Sequence, residues 1–166
     1  MSSRALRIAV IAPVRFPIRR PHAGGLESAV WWEVETLRRR GHEVTLVAVT
    51  GSDSVQPGSD FALPALDWPA GSHPTDSTYP PGHAQRSLPA LDHALSAIAA
   101  DAGSFDVIAN HCLDALPLWR APELGVPMVT TLHTPPDRQS AAAHRAAGGA
   151  GSIFLSVSEH TRRLWA

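Results

Sequence analysis

The chain lacks several features that would place it in common classes of protein. Its 166 residues include no lysine, a single cysteine, Cys112, and no apolar run long enough to cross a membrane. One cysteine excludes an internal disulfide and a cysteine-based zinc cluster. The 14 arginines nearly balance the 15 acidic residues, so the net charge of −1 gives no sign of a nucleic-acid partner. With 44% hydrophobic residues, we expect one folded, soluble, cytoplasmic domain over residues 1–166.

Well-known phosphate and metal motifs are also missing. The sequence contains neither GxGxxG nor GxxxxGK[ST], which counts against a dinucleotide-dependent oxidoreductase and a P-loop NTPase. The nine histidines are scattered singly and match no zinc spacing, so we expect no metal. No pair of carboxylates stands out for the hydrolysis of a glycosidic bond.

What the chain does contain is an alternation of strand and helix patterns. Leu26, Val30, Val34 and Leu37 share one helical face between two apolar, β-rich runs, and Gly41 ends that helix. Such a βαβ unit predicts an α/β fold with a parallel sheet, a Rossmann-like α/β/α arrangement of three layers. Core strands are predicted at 7–13, 43–50, 106–110, 127–132 and 153–157, and helices at 26–40, 83–102, 113–124 and 137–147. Pro89 is expected in the first turn of the second helix or at its true start, and Pro117 and Pro122 are expected to break the third.

Residues 51–82 differ from the rest, because they are rich in Gly, Pro, Ser and Asp. We expect an irregular, partly mobile loop with a short edge strand near 61–66 and mobility around 71–81. A structureless loop of this length in a compact domain is typical of a lid, a binding loop or a disordered segment.

The last helix begins with a capping signal, since Ser158 is a favourable N-cap and Glu159 lies in the first turn. The sequence stops about two turns later, and isolated helices this short are marginal. We therefore expect a longer protein. The alternative is a terminal cap helix that docks Leu164 and Trp165.

Ligands of open parallel α/β sheets bind beyond the carboxyl ends of the strands, and this rule selects a small set of residues. These are Arg15, Gly24, Gly25, Asn110, His111, His133, Ser158 and Glu159.

Each of these candidates has a structural alternative. Gly24-Gly25 precedes a helix and could bring N–H groups to an anion, or could form a plain turn that needs positive φ. His133 could orient a sugar hydroxyl or move a proton, or could bond only to a backbone carbonyl. His111 has the same two interpretations. Cys112 has no nucleophile signature and is more typical of a small buried side chain.

The loop after the first strand carries a basic cluster, formed by Arg15, Arg19 and Arg20 with His22. It could bind a phosphate or place the protein at the periphery of a membrane. A solvated loop is the alternative.

In order and spacing, several segments together resemble the N-terminal domain of a GT-B glycosyltransferase of family 4. They are RIAVIAP, GGLE, LRRRGHEVTLVA, FDVIANHCLDALPL, GVPMVTTLHTPPD and FLSVSEHTRRLW. The resemblance covers about residues 7–165, except 51–82. Gly-Val-Pro before a strand that ends in Thr-x-His is its most specific part.

The resemblance implies a retaining sugar transferase with two Rossmann-like domains, whose C-terminal domain binds most of a nucleotide-sugar donor. In that family the positions of Gly24 and Gly25 meet the donor diphosphate, and the position of His133 contacts the donor sugar as the catalytic histidine. Asn110, His111, Ser158 and Glu159 then fall on the acceptor side. The loop that carries Arg15 and residues 51–82 depart from the family pattern, and we expect them to bind the acceptor and to determine which acceptor is used. The donor is a co-substrate, no cofactor or metal is implied, and the acceptor could be a small molecule, a lipid or a glycan.

Two functions from different classes remain open at this point. One is the acceptor-side domain of a transferase, inactive without its C-terminal partner domain. The other is a stand-alone Rossmann-like module that binds a nucleotide, phosphate or sugar without catalysis.

Overall fold

The structure of the chain is a computed structural model that describes residues 4–75, 78–147 and 152–166. Within these ranges the chain forms a three-layer α/β/α arrangement with six parallel strands and five α-helices. The strands are β1 (Arg7–Ile11), β2 (Glu43–Val49), β3 (Ala62–Leu63), β4 (Val107–Asn110), β5 (Met128–Leu132) and β6 (Ser152–Ser156). The helices are α1 (Gly25–Arg39), α2 (Leu88–Ala100), α3 (Leu116–Arg120), α4 (Arg138–Ala147) and α5 (Glu159–Trp165).

The sheet has the strand order β3-β2-β1-β4-β5-β6, and every neighbouring pair is parallel. The chain therefore winds outward from β1 to one edge and returns to continue on the other side of β1. The boundary between β1 and β4 is the topological switch point, where ligands of such sheets bind. The predicted Rossmann-like fold class is confirmed.

Helix α1 covers one face of the sheet with the stripe that its spacing predicts. Val30 and Val34 are buried against a cluster that includes Val10 and Ala48. Gly41 follows the helix with φ of +85°, a conformation that favours glycine, so the predicted stop is confirmed.

The other face is covered by α2, α3 and α4, around a cluster that contains Leu91, Leu95 and Ile98. Two predicted helices of this face contain prolines, and the structure confirms the effect that was expected of those prolines. The first begins with a single π-helical turn over His83–Ser87, and α2 follows with Pro89 in its first turn. The second is limited to α3 and a 3₁₀ turn over Ala121–Glu123, because prolines interrupt the backbone hydrogen bonds.

The irregular segment supplies the predicted edge strand, although only as the two residues of β3. Trp68 stacks on Phe16 with ring centroids 5.4 Å apart, which joins this segment to the loop after β1. Asp76 and Ser77 lie outside the described residues, and the mobility of 71–81 stays a prediction. None of the described helices is both long enough and apolar enough to cross a membrane.

Candidate functional site

A pair of histidines lies where two adjacent strands end at the carboxyl edge. His111 follows β4 and His133 follows β5, and Nδ1 of His111 is 2.9 Å from Nε2 of His133. His111 is buried, with 3% of its surface exposed, and its backbone N–H donates to the carbonyl of Ile11 in β1. His133 is only half-buried. A ligand at this edge can therefore reach His133, with His111 directly behind it.

Asn110 lies inside the sheet rather than in the open part of this edge. Its side chain donates to Oγ1 of Thr130 in β5 and accepts from the backbone N–H of Cys112, both at 3.1 Å. Only 1% of its surface is exposed. In this structure the amide therefore holds the ends of β4 and β5 together and fixes the backbone on which His111 sits.

Behind His111 lies a carboxylate from α1. Oε2 of Glu33 is 3.1 Å from Nε2 of His111, an ion-pair distance that lacks the alignment of a good hydrogen bond. The contact with His111 lowers the pKa of the Glu33 carboxyl, although its partial burial opposes that shift. The sequence patterns do not point to Glu33, because it lies in the middle of a helix, between Trp32 and Val34, and far from any strand end.

The glycine pair lines a cavity of about 400 Å³ at the same edge of the sheet. Gly24 has an extended backbone with φ of −163°, and Gly25 begins α1. The alternative of a turn that needs positive φ is therefore wrong for this pair. A Cβ on Gly24 would come within 2.9 Å of Oε2 of Glu27, whereas a Cβ on Gly25 would meet no atom within 4 Å. Packing inside the protein therefore disfavours a side chain at position 24, whereas it leaves space for one at position 25.

Arg15 forms part of the wall of that cavity and is not a solvated side chain, since 9% of its surface is exposed. Its guanidinium carbon lies 5.5 Å from the ring centroid of Phe16 and 5.9 Å from that of Trp68. Arg20, by contrast, is exposed and lies 4.2 Å over the ring of Trp31. Arg19 is exposed as well. The basic cluster therefore divides into one buried cation at the cavity and a surface group.

Ser158 and Glu159 have structural partners in α5. Oγ of Ser158 accepts from the backbone N–H of Thr161 at 3.0 Å, which confirms the predicted N-cap. The exposed carboxylate of Glu159 is paired with Arg162 at 2.7 Å and Arg163 at 3.0 Å. The structure thus brings His111 and His133 into contact but gives Ser158 and Glu159 roles within the last helix.

A further polar cluster lies beside Cys112, and the sequence patterns do not reveal it. Nε2 of His83 is 3.0 Å from Oδ1 of Asp114, and the ring of Tyr79 stacks on His83 at 4.1 Å. Burial raises the pKa of the Cys112 thiol well above its ordinary range, so this cysteine is not an activated nucleophile. The interpretation of Cys112 as a small buried side chain is confirmed. Since His83 and Asp114 are 31 residues apart, no local motif joins them.

Among residues 4–75, 78–147 and 152–166, no three His, Cys, Asp or Glu side chains are grouped as a metal ion requires.

Comparison with known proteins adds one positive finding. The family described as Glycosyltransferase Family 4 matches the chain over residues 23–166, which contain the glycine pair, Glu33 and both histidines of the contact. No curated protein matches the chain significantly.

Proposed function

Since the chain belongs to glycosyltransferase family 4, we propose that it is the acceptor-side domain of a retaining enzyme. That enzyme transfers a sugar from a nucleotide-sugar donor to an acceptor hydroxyl. The observation that carries the proposal is the partly exposed imidazole of His133, which the buried His111 holds from behind at the carboxyl edge of the sheet. A ring fixed in this way suits a directed hydrogen bond to a sugar hydroxyl near the reacting carbon.

The cavity beside α1 supports a role in holding the diphosphate. Arg15 brings a buried positive charge, and the first N–H groups of α1 have no partners within the helix, so both favour an anion. The open space at Gly25 lets a phosphate approach the backbone. Glu27 lines the same cavity, which suits a ligand that carries hydroxyl groups beside its phosphates.

In the proposed reaction, the bond between the anomeric carbon and the diphosphate oxygen breaks while the acceptor oxygen bonds to that carbon on the same face. The proton of the acceptor hydroxyl passes to the leaving phosphate, so atoms and charges balance. Charge builds on the diphosphate as this bond breaks, and Arg15 and the N–H groups at Gly24 and Gly25 stabilise it. Most donor contacts would come from a second domain, and residues 1–166 alone would be inactive.

The test is to incubate the complete gene product that carries residues 1–166 with a panel of nucleotide sugars and candidate acceptors. Release of a nucleoside diphosphate that depends on the acceptor is expected, and proton NMR of the product should show the anomeric configuration of the donor. A product of inverted configuration would overturn the retaining mechanism. Binding of nucleotide sugars without transfer to any acceptor would favour the alternative, a binding module without catalysis.

A further inference from the structure

From the buried carboxylate in the first turn of α1, we infer that Glu27 is a specificity-determining residue of the cavity of about 400 Å³ that it lines. Its carboxylate accepts a hydrogen bond from a hydroxyl group of a sugar ring bound there. The inference rests on the proposed function for the kind of ligand, and the ring can belong to the donor or to the acceptor. Binding and kinetic measurements distinguish these two sources.

Glu27 is buried, but it has no polar partner inside the protein. Only 5% of its surface is exposed. Among residues 4–75, 78–147 and 152–166, nothing donates a hydrogen bond to its carboxylate or forms an ion pair with it. Acidic side chains are rarely buried without a partner, because burial removes the water that solvates the charge. This carboxylate therefore lacks the partner that its burial requires.

The carboxylate is open to the cavity rather than enclosed in the protein core. Neither of its oxygens is fully enclosed, and Glu27 forms part of the cavity wall. Gly24 leaves room for this position, because a Cβ on that residue would lie 2.9 Å from Oε2 of Glu27. A ligand in the cavity can therefore reach the carboxylate directly.

The end of the helix does not by itself account for this burial. An acidic residue in the first turn is favoured by the helix dipole, and at this position it could also accept from the N–H of the N-cap residue, Gly24. The carboxylate of Glu27 accepts no such bond in this structure. The dipole acts on an exposed carboxylate as well, so it gives no reason for placing the group in a cavity.

The composition of the cavity wall favours a sugar ring. An ionised carboxylate only accepts hydrogen bonds, so its partner must carry a donor group. Phe16, Leu26 and Pro74 add carbon surface to the same wall. Ligand sites combine apolar walls with a few polar groups that fix the orientation of the ligand. A sugar ring suits both parts, since its C–H groups can pack on carbon while a hydroxyl donates to Glu27.

The first test measures stability and needs no ligand. Glu27→Gln replaces the carboxylate by a neutral group of the same size, which removes the cost of burying an unpartnered charge. We expect the midpoint of urea unfolding of the complete protein to stay the same or to rise. Glu35→Gln is the matched control, because Glu35 lies on the same helix and pairs with Arg38 at 3.5 Å. A larger fall in Glu27→Gln than in Glu35→Gln would show that Glu27 stabilises the fold, and would overturn the inference.

The second test measures binding by calorimetric titration of the complete protein. The probes are UDP-glucose, UDP-N-acetylglucosamine and GDP-mannose, together with UDP and GDP, which lack the sugar. If the ring belongs to the donor, Glu27→Gln should bind the nucleotide sugar roughly tenfold more weakly, since a neutral acceptor replaces a charged one. Its affinity for UDP or GDP should not fall.

If the ring belongs to the acceptor, Glu27→Gln should keep the parent affinity for the nucleotide sugar. The KM for the acceptor should then rise by roughly tenfold, for the same reason. Glu35→Gln should match the parent protein in both measurements. Parent values of both the donor affinity and the acceptor KM in Glu27→Gln would overturn the inference.

These measurements separate the inference from the proposed function. If nucleotide sugars bind but are not transferred, and Glu27→Gln weakens their binding without weakening that of UDP or GDP, the proposed function fails and the role of Glu27 stands. If transfer occurs and Glu27→Gln keeps both parent values, the role of Glu27 fails and the proposed function stands. If the parent protein neither binds nor transfers any of these sugars, both fail.

Discussion

The indole N–H of Trp165 donates to the backbone carbonyl of Thr134 at 2.8 Å, so the last described helix is tied to the residue that follows His133. The same ring packs against Phe154 and His144, with centroids 6.4 Å and 5.9 Å away. Of the two residues that a cap helix could dock, Trp165 is packed in this way, whereas Leu164 is exposed. Helix α5 therefore supports the loop on which His133 stands.

Replacing Trp165 separates the hydrogen bond from the packing of the ring. Trp165→Phe keeps an aromatic ring but loses the N–H, which should cost about 1 kcal/mol in the free energy of unfolding. Trp165→Ala loses both and should cost roughly 2–3 kcal/mol, below the range for a fully buried aromatic. Urea unfolding of the complete protein measures both values. Trp32→Phe, at an exposed position, serves as the control. If Trp165→Phe loses no more stability than Trp32→Phe, the bond to Thr134 contributes nothing.

The two glycines at the start of α1 should respond differently to alanine. Gly25→Ala adds a methyl group into open space, so the melting temperature should stay the same or rise slightly. Since Gly25 lines the proposed diphosphate site, the affinity for a nucleoside diphosphate should fall by roughly tenfold, or about 1.4 kcal/mol. Gly24→Ala brings a methyl group to 2.9 Å from Oε2 of Glu27. Because that oxygen ends a flexible side chain that can shift, the melting temperature should fall only slightly. Calorimetry of both variants gives the melting temperatures and, by titration with the nucleoside diphosphate, the affinities. If Gly25→Ala binds the nucleoside diphosphate as tightly as the parent does, this loop does not belong to the diphosphate site.

His133→Ala should reduce transfer while leaving the fold intact. Its loss removes a hydrogen bond to a polarised group, worth about 2–3 kcal/mol, or roughly 30- to 150-fold in rate. If that bond strengthens only in the transition state, the loss falls on kcat rather than KM. His93→Ala is a suitable control, because His93 is exposed and is paired with the surface residue Asp60 at 2.8 Å. A lower melting temperature with an unchanged kcat would make His133 a structural residue of its loop.

Asn110→Ala should act mainly on stability. The change leaves the N–H of Cys112 without its acceptor and opens a small cavity between β4 and β5, at a cost of about 2 kcal/mol or more. The midpoint of urea unfolding should fall, while KM for the acceptor, measured well below the melting temperature, should change little. The opposite result, a raised KM for the acceptor with normal stability, would show that Asn110 binds the acceptor, as the sequence predicts.

Asp106 makes stability depend on pH at the amino end of the sheet. Its carboxylate accepts from the backbone N–H of Arg7 at 2.8 Å and pairs with the side chains of Arg7 and Arg4, and these contacts, led by the Arg7 side chain, lower its pKa. A carboxyl with a lower pKa in the folded state stabilises the protein above its unfolded pKa of about 3.9. That stabilisation is lost as the pH falls through the folded value.

Asp106→Asn should therefore be less stable than the parent at pH 7, and the difference should shrink as the pH is lowered from about 5 towards 3. Urea unfolding at a series of pH values measures it, with the exposed Asp67→Asn as control. A difference that stays constant down to pH 3 would mean that the charge of Asp106 contributes nothing.

Much of the fold follows from short-range patterns in the sequence. The apolar runs, the stripe of Val30 and Val34 and the stop at Gly41 each depend on neighbours within a few residues, and the structure confirms them. The convergence of Gly24, Gly25, His111 and His133 on one edge also follows, because parallel strands all end at the same side of a sheet. The interruption of the helix around α3 follows as well, because Pro117 and Pro122 have no N–H for the helical hydrogen bond.

The tertiary structure alone decided which of these side chains touch. The strand order sets β4 between β1 and β5, which brings His111 to His133 and turns Asn110 into the sheet. The path of α1 across the sheet then brings Glu33 to His111, across 78 residues of chain. Contacts of this kind depend on the crossing of packed elements and the rotation of a helix about its axis, and no local spacing of residues encodes either.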